Sequence, residues 1–254
     1  MPGRETYAGH LRGIKEWRIY LVENSGLPGP RGNIELAQAV ADLGTARLFR
    51  QYLDLDDAPR VPDPEKEYLV FCAVLGLGRL VVDGGRGHLD ALRRYASDSR
   101  WRVREAVAMA LQRVGTVDMS LLLRTAKKWL RGGWLEQRAV AAGLCEPALL
   151  HDREHVDGVL DALDAITAGI ADAEDRTTDA FRALRKGMGY CWSVAATASP
   201  REGKRRMERW MASADADVRW IMKENLGKNR LVRIDRAWAE TWRSRLSGKK
   251  GSLP

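Results

Sequence analysis

The feature that most constrains the fold is a helix pattern that occurs twice in the chain. Residues 97–115 read SDSRWRVREAVAMALQRVG, and residues 213–231 read SADADVRWIMKENLGKNRL. In both stretches an Asp and a Val-Arg pair head an apolar helix that is followed by Gly. One helix pair of this kind cannot bury its own apolar faces, so such units stack against one another. The duplication therefore predicts an array of helices.

The rest of the chain is also helix-forming and contains weaker copies of the unit. Apolar residues recur at helical spacing, and Pro or Gly-Gly breaks separate the segments. Weaker copies lie at 132–147, 186–200 and 32–44, and 65–82 has the length and apolarity of another such helix. This pattern resembles HEAT and HEAT-like repeats, in which the Asp and Val-Arg positions head the second helix of each pair. The resemblance implies an all-α fold, an α-solenoid of about six helical pairs with a concave groove.

The chain is expected to divide into three parts. A length of 254 residues is long for one compact core but ordinary for a repeat array. Residues 1–30 are predicted to form an N-terminal helix and loop, 31–246 a single HEAT-like repeat domain, and 247–254 a flexible basic tail.

Three positions of the repeated unit have expected structural roles. Asp98 and Asp217 can cap the free N–H groups at the start of their helices. Arg104 and Arg219 can reach an Asp of a neighbouring unit. The glycines that follow, Gly115 and Gly227, are predicted to end their helices in a left-handed conformation.

The charge of the chain is concentrated near its C-terminus. Residues 201–254 contain 15 Lys plus Arg and 7 Asp plus Glu, which accounts for the whole net charge of +8. Such a local excess attracts polyanions with an affinity that falls as salt rises, although a solvated cationic segment that aids solubility has the same composition. No apolar run approaches the roughly 20 residues that span a bilayer, and no secretory signal is expected at the N-terminus. Three widely spaced cysteines without a CxxC pair favour a reducing cytoplasm and argue against a disulfide framework or a zinc site.

No established catalytic, cofactor or metal motif is present. The sequence contains no P-loop, HExxH or GxSxG pattern. The pair His151 and His155 has helical spacing but no third ligand, so no metal and no cofactor are expected. The run Gly76-Leu77-Gly78 lies inside an apolar helix and indicates close helix packing.

Tryptophan is unusually frequent and marks the candidate site. The chain has nine Trp against three Phe, and several Trp lie beside charged residues at the starts of predicted second helices. Such residues on a concave surface could stack bases or cations and contact phosphates. Filling of gaps between repeats is the alternative role of each Trp. The predicted ligand-binding residues are Trp101, Arg104, Trp134, Arg138, Trp192, Arg219, Trp220, Lys223 and Asn225.

Two smaller sets complete the candidate site. If a catalytic acid is needed, Glu105, Glu136 and Glu224 are the candidates, because helical register could place them on the concave face. The predicted phosphate-binding residues are Lys228, Arg230 and Arg233, which follow the glycine at the end of the second repeated helix. Cations near the negative end of a helix would have the same positions for stability alone.

The chain is similar in size, helicity and basic charge to the HEAT-like-repeat alkylpurine DNA glycosylases. The stretch SDSRWRVREAVAMALQ also resembles the repeat helices of that family. The resemblance implies that Trp side chains and an Asp in a concave cleft enclose a modified nucleotide while Arg and Lys contact the DNA backbone. No Trp-Trp-Asp cluster corresponds to the catalytic segment of that family, so the resemblance rests on repeat type and composition. The stretches SGLPGPRGNIELAQAVA, GYCWSVA and DVRWIMKENLGKNRL also resemble uncharacterised bacterial HEAT-repeat proteins, and this similarity implies no function.

Three functions remain open at this point. The first is binding of DNA or another polyanion, or of a nucleotide-containing ligand, in a groove of Trp, Arg and Glu side chains. The second is a protein–protein interaction scaffold. The third is an enzyme that acts on a small polar metabolite, in natural-product biosynthesis or self-resistance. The partner is therefore a polyanion, a protein or a small molecule, and no membrane is expected.

Overall fold

The structure of the protein is a computed structural model that describes residues 2–55 and 63–247. Over these residues the fold is all-α, with helices and turns and no strand, as the sequence predicts. The chain divides into two compact units, Met1–Val117 and Asp118–Pro254. None of the helices in the described ranges is long and apolar enough to cross a membrane.

The first unit is built around one long buried helix. Its helices are α1 (Arg4–Gly13), α2 (Trp17–Glu23), α3 (Ile34–Leu43), α4 (Ala46–Leu53), α5 (Pro64–Val82), α6 (His88–Tyr95) and α7 (Trp101–Val117). The central helix α5 packs against α3, α4, α6 and α7. Its side chains are buried almost without interruption from Tyr68 to Gly78, because neighbouring helices cover it on several sides.

Glycine allows the closest helix contact of the first unit. A Cβ atom at Gly78 would lie 2.7 Å from both the Cα and the carbonyl oxygen of Ala110 on α7. At Gly76 a Cβ atom would meet the ring of Phe49 on α4 at 2.3 Å. The prediction that this Gly-Leu-Gly run serves close packing is confirmed.

The second unit has the same kind of organisation around α11. Its helices are α8 (Met119–Trp129), α9 (Trp134–Leu144), α10 (Arg153–Ala171), α11 (Asp179–Ala198), α12 (Pro200–Met211), α13 (Ala216–Leu226), α14 (Asn229–Ile234) and α15 (Arg236–Leu246), with a 3-10 turn at Pro147–Leu149. Helix α11 packs against α9 on one side and α13 on the other, and α10 and α12 also contact it. Helix α11 therefore contacts helices that lie both before and after it in the sequence.

A helix is present at each of the six positions predicted for a second helix, and these helices are α3, α5, α7, α9, α11 and α13. Within the first unit α3, α5 and α7 are neighbours in chain order, and α9, α11 and α13 are neighbours in the second. A single solenoid and a single domain over 31–246 remain predictions. Of the predicted tail, 248–254 lies outside the described residues.

The two repeated aspartates do not cap their helices as expected. The Asp98 carboxylate accepts from the Arg100 backbone N–H at 2.8 Å and pairs with its guanidinium at 2.7 Å, so it stabilises the turn before α7. Helix α13 begins two residues earlier than predicted, and Asp215 caps it by accepting from a first-turn N–H at 2.8 Å. Asp217 therefore lies inside the first turn, where it pairs with Arg176 at 2.8 Å.

The predicted role of the repeat glycines also needs correction, and the repeat arginines contact backbone carbonyls. Gly115 lies within α7, and Gly227 has a φ of −76°, so neither is a left-handed helix end. Arg104 donates to the carbonyl oxygens of Asp98 and Ser99, which join α7 to its preceding turn. Arg219 donates at 3.4 Å to the Leu246 carbonyl.

Candidate functional site

The three predicted phosphate-binding cations come together in the second unit. Lys228, Arg230 and Arg233 line one open depression of about 400 Å3, with Gly227 and Asn229. The sixth lining residue is Tyr190 on α11, which sequence reasoning missed. We call these six residues the cationic depression.

The depression forms where α13 ends and α14 begins. The backbone turns between Leu226 and Asn229, and the Lys228 N–H donates to the Asn225 carbonyl at 3.0 Å. Helix α14 begins directly after this turn. Its side chains Arg230 and Arg233 therefore extend from adjacent turns of the helix beside the exposed ring of Tyr190. The α13–α14 turn thus places cations next to an aromatic residue of α11.

Tyr190 and Arg230 form the best-defined contact of the depression. The Arg230 guanidinium lies over the Tyr190 ring at 4.5 Å from its centroid, and it also donates to the phenol oxygen. Tyr190 nevertheless remains 42% exposed. A cation over one face thus holds the ring, which is still exposed enough to contact a ligand.

The positive charge of the depression is only weakly neutralised. The Lys228 ammonium lies 3.9 Å from the Glu224 carboxylate, which is a loose contact. Arg233 is exposed and makes no ion pair with the described residues. Two further exposed cations lie one helical turn away, Lys186 before Tyr190 and Lys223 before Gly227. The local potential is therefore positive.

Trp220 packs between helices at the edge of this face. The Arg185 guanidinium lies 3.8 Å from the centroid of its ring, and the same side chain pairs with Asp217 at 2.6 Å. Gly189 on α11 leaves the space for this indole, since a Cβ atom there would lie 3.4 Å from it and 3.2 Å from the Glu224 Cβ atom. The predicted ligand residue Trp220 is thus largely engaged in helix packing.

Two other predicted ligand residues lie in the core of the unit. Trp192 is fully buried, and its indole N–H donates to the Thr167 hydroxyl at 3.0 Å. Asn225 is also fully buried; it accepts from the Ser193 N–H and donates to the Met188 carbonyl, each at 2.8 Å. Neither side chain can contact a ligand in this fold, because both are occupied by neighbouring helices.

The predicted residues at the start of α9 have structural contacts. Trp134 packs edge-on against Phe181, with ring centroids 5.6 Å apart. The Glu136 carboxylate accepts from the Gly133 N–H at 3.0 Å, so it caps α9. Arg138 lies along α11 beside Gly187. The catalytic role suggested for Glu136 remains a prediction.

Trp101 and Glu105 line a separate pocket in the first unit, the aromatic pocket. It has a volume of about 400 Å3 and is lined by Leu27, Arg31, Gly32, Ile34, Tyr68, Phe71, Trp101, Arg102, Glu105 and Met109. Burial raises the pKa of the Tyr68 phenol far above its usual value, so this group stays neutral. A mostly apolar lining with a few polar groups is typical of small-molecule sites.

No cluster of His, Cys, Asp and Glu in residues 2–55 and 63–247 could hold a metal ion.

Comparison with known proteins identifies no relative, since neither the protein-family models nor the curated proteins give a match. The candidate sites are therefore argued from their geometry.

Proposed function

We propose that the protein binds a single-stranded nucleic acid through the cationic depression of its second unit. The observation that carries this proposal is the convergence of Lys228, Arg230 and Arg233 around the exposed ring of Tyr190. Lys and Arg side chains contact phosphates without regard to sequence, and an exposed ring can stack a base. Because phosphates and bases alternate along a nucleic acid, its binding uses both the cations and the aromatic ring.

A single strand fits the depression better than a duplex. The bases of a duplex are stacked on one another, whereas those of a single strand can stack on a protein ring. Tyr190 is presented at the open surface of α11, with cations on the neighbouring α13–α14 turn. Binding of a single strand at this surface does not require a helix or a β-ribbon to enter the groove of a duplex.

Binding of an acidic protein segment is the competing function. Such a partner would use the same cations but would not depend on the flat surface of Tyr190. The two functions therefore differ in the effect of the ring.

The electrostatic part is tested by fluorescence anisotropy with labelled oligo(dT) and increasing NaCl. Three phosphate contacts predict a slope of about −2 for the logarithm of affinity against that of salt. Arg233→Gln should weaken binding and reduce the slope by about 0.7. Arg205→Gln is the matched control, because it removes one positive charge from a side chain already paired with Glu202 at 2.6 Å. Absence of binding at low salt, or equal effects of the two variants, would refute the proposal.

The stacking part is tested by two variants of the ring. Stacking contributes about 1–3 kcal/mol per base, so Tyr190→Ala should weaken oligo(dT) binding by about 5- to 150-fold. Tyr190→Phe keeps the ring and should retain most of the affinity. Heparin has no bases, so Tyr190→Ala and Tyr190→Phe should both change the affinity for heparin only slightly and to the same extent. If Tyr190→Ala and Tyr190→Phe bind oligo(dT) alike, an acidic partner replaces nucleic acid as the better explanation.

A further inference from the structure

The aromatic pocket of the first unit lies where three helices meet near their N-terminal ends. Ile34 is the first residue of α3, Tyr68 and Phe71 lie in the first two turns of α5, and Trp101 is the first residue of α7. Two large apolar side chains at its rim are exposed, Trp101 by 48% and Ile34 by 46%. Adjacent exposed apolar side chains around a concave site are typical of ligand-binding surfaces.

The floor of the pocket is a rigid pair of aromatic rings. The rings of Tyr68 and Phe71 are nearly parallel, at 13°, with centroids 6.1 Å apart. The Tyr68 hydroxyl donates to the Asn33 carbonyl at 2.7 Å, which fixes the position of its ring. Both residues are at least nine-tenths buried, so the floor is formed before any ligand arrives.

Arg102 fixes the wall of the pocket. Its guanidinium lies 4.6 Å from the centroid of the Trp101 ring. The same group donates to the Gly29 carbonyl at 2.9 Å and pairs with Glu67 at 3.3 Å. Because its charge already has a partner, Arg102 orients the indole and is not the cation that selects a ligand.

Arg31 is the cation that has no such partner. It is exposed at the rim and makes no ion pair with the described residues. The positive ends of the α3 and α7 dipoles lie at the same pocket and also favour negative charge. The Glu105 carboxylate lies one turn further along α7 and also lines the pocket, and an anion is attracted to the Arg31 side.

We propose that this pocket is a binding site for a flat aromatic carboxylate, with its rings between Trp101 and the Tyr68–Phe71 floor and its carboxylate at Arg31. The volume of about 400 Å3 is within the range of roughly 300–1,000 Å3 of small-molecule sites and accommodates a two-ring compound. This site is independent of the cationic depression, and its test does not depend on nucleic-acid binding.

The test is isothermal titration of the whole protein with 2-naphthoate and with 2-naphthamide. The two probes have nearly the same shape, but only the first carries a negative charge. Saturable binding of one naphthoate per chain is expected, with affinity about tenfold higher than that of the amide, or about 1.4 kcal/mol. No saturable binding of naphthoate would overturn the proposal, and equal affinities would overturn its charge selection.

Variants locate the site. Trp101→Ala should abolish measurable binding, and Arg31→Gln should lower naphthoate affinity about tenfold without changing that of the amide. Trp242→Ala and Arg86→Gln are the matched controls, since neither residue lines the pocket. Met109→Trp fills the pocket while leaving Trp101 in place, so it too should abolish binding in a protein that melts as the unaltered one does. Retained binding in Trp101→Ala and Met109→Trp would show that the site lies elsewhere.

Discussion

Replacing Asn225 by Ala is expected to destabilise the second unit strongly, because its amide joins α13 to α11 at full burial. The carbonyl oxygen accepts from the Ser193 N–H at 2.8 Å, and the amide nitrogen donates to the Met188 carbonyl at 2.8 Å. The nitrogen also donates to the Ile221 carbonyl of its own helix at 2.8 Å. Ala retains none of these hydrogen bonds.

The size of the effect follows from what each partner loses. The Ser193 N–H is left buried without its side-chain acceptor, which costs about 1–3 kcal/mol. The Met188 and Ile221 carbonyls are inside helices and retain backbone donors, so each lost bond costs about 0.5–1.5 kcal/mol. The total is about 2–6 kcal/mol, a large part of the roughly 5–15 kcal/mol that stabilises a typical domain. A loss near 3 kcal/mol corresponds to a drop in Tm of about 6–12 °C.

The assay combines thermal unfolding with amide hydrogen exchange. Circular dichroism measures the change in Tm, and exchange measured by mass spectrometry should show reduced protection around Ser193. Asn229→Ala is the matched control, since Asn229 is exposed, and it should change stability by less than about 0.5 kcal/mol. If Asn225→Ala melts as the Asn229→Ala control does, with unchanged protection of the middle of α11, the reasoning about these hydrogen bonds is refuted.

Three further predictions concern helix packing, acid stability and thiol reactivity. Gly78→Ala should lower Tm, because the added Cβ atom would lie 2.7 Å from the backbone of α7. Gly9 has open space around it, so Gly9→Ala should raise the free energy of unfolding by up to about 1 kcal/mol. Arg205 and Arg206 donate to Glu202 and lower its pKa from 4.5 to about 2. The stability that Glu202 contributes is therefore complete above pH 4.5 and is lost as the pH falls towards 2. Glu202→Gln should flatten the dependence of Tm on pH in this range. Burial raises the thiol pKa values of Cys72 and Cys145, and Cys191 is buried too, so none should react with a thiol reagent such as Ellman's reagent at neutral pH until urea unfolds the chain.

The helical class and the positions of the repeated helices could be predicted because their signals are local. Apolar spacing and Gly or Pro breaks depend only on nearby residues, and a helix is present at each of the six predicted positions. Helix ends were predicted less well, since Asp215 and Asp217 are equally good caps and only the start of α13 distinguishes them. Local signals thus identify a helix better than its first residue.

The burial of individual site residues could have been predicted from helical register. Asn225 follows Val218 and Ile221 at the spacing of one apolar stripe, and all three are buried. Tyr190 lies one turn after the exposed Lys186, on the opposite stripe of α11 from Trp192. The partners of Asn225 on α11 had no sequence signal, because they depend on how two helices pack.

Charge counting located the basic segment but not the candidate binding surface within it. Many cations of residues 201–254 lie on α12, where Arg206 contacts Asp164 at 2.8 Å and Lys204 contacts Asp235 at 2.8 Å. These pairs neutralise charge that a count over the sequence treats as free. Arg233 makes no such pair with the described residues, and it lines the cationic depression. For this reason Arg233→Gln, and not the equal charge change Arg205→Gln, should alter the salt dependence of binding.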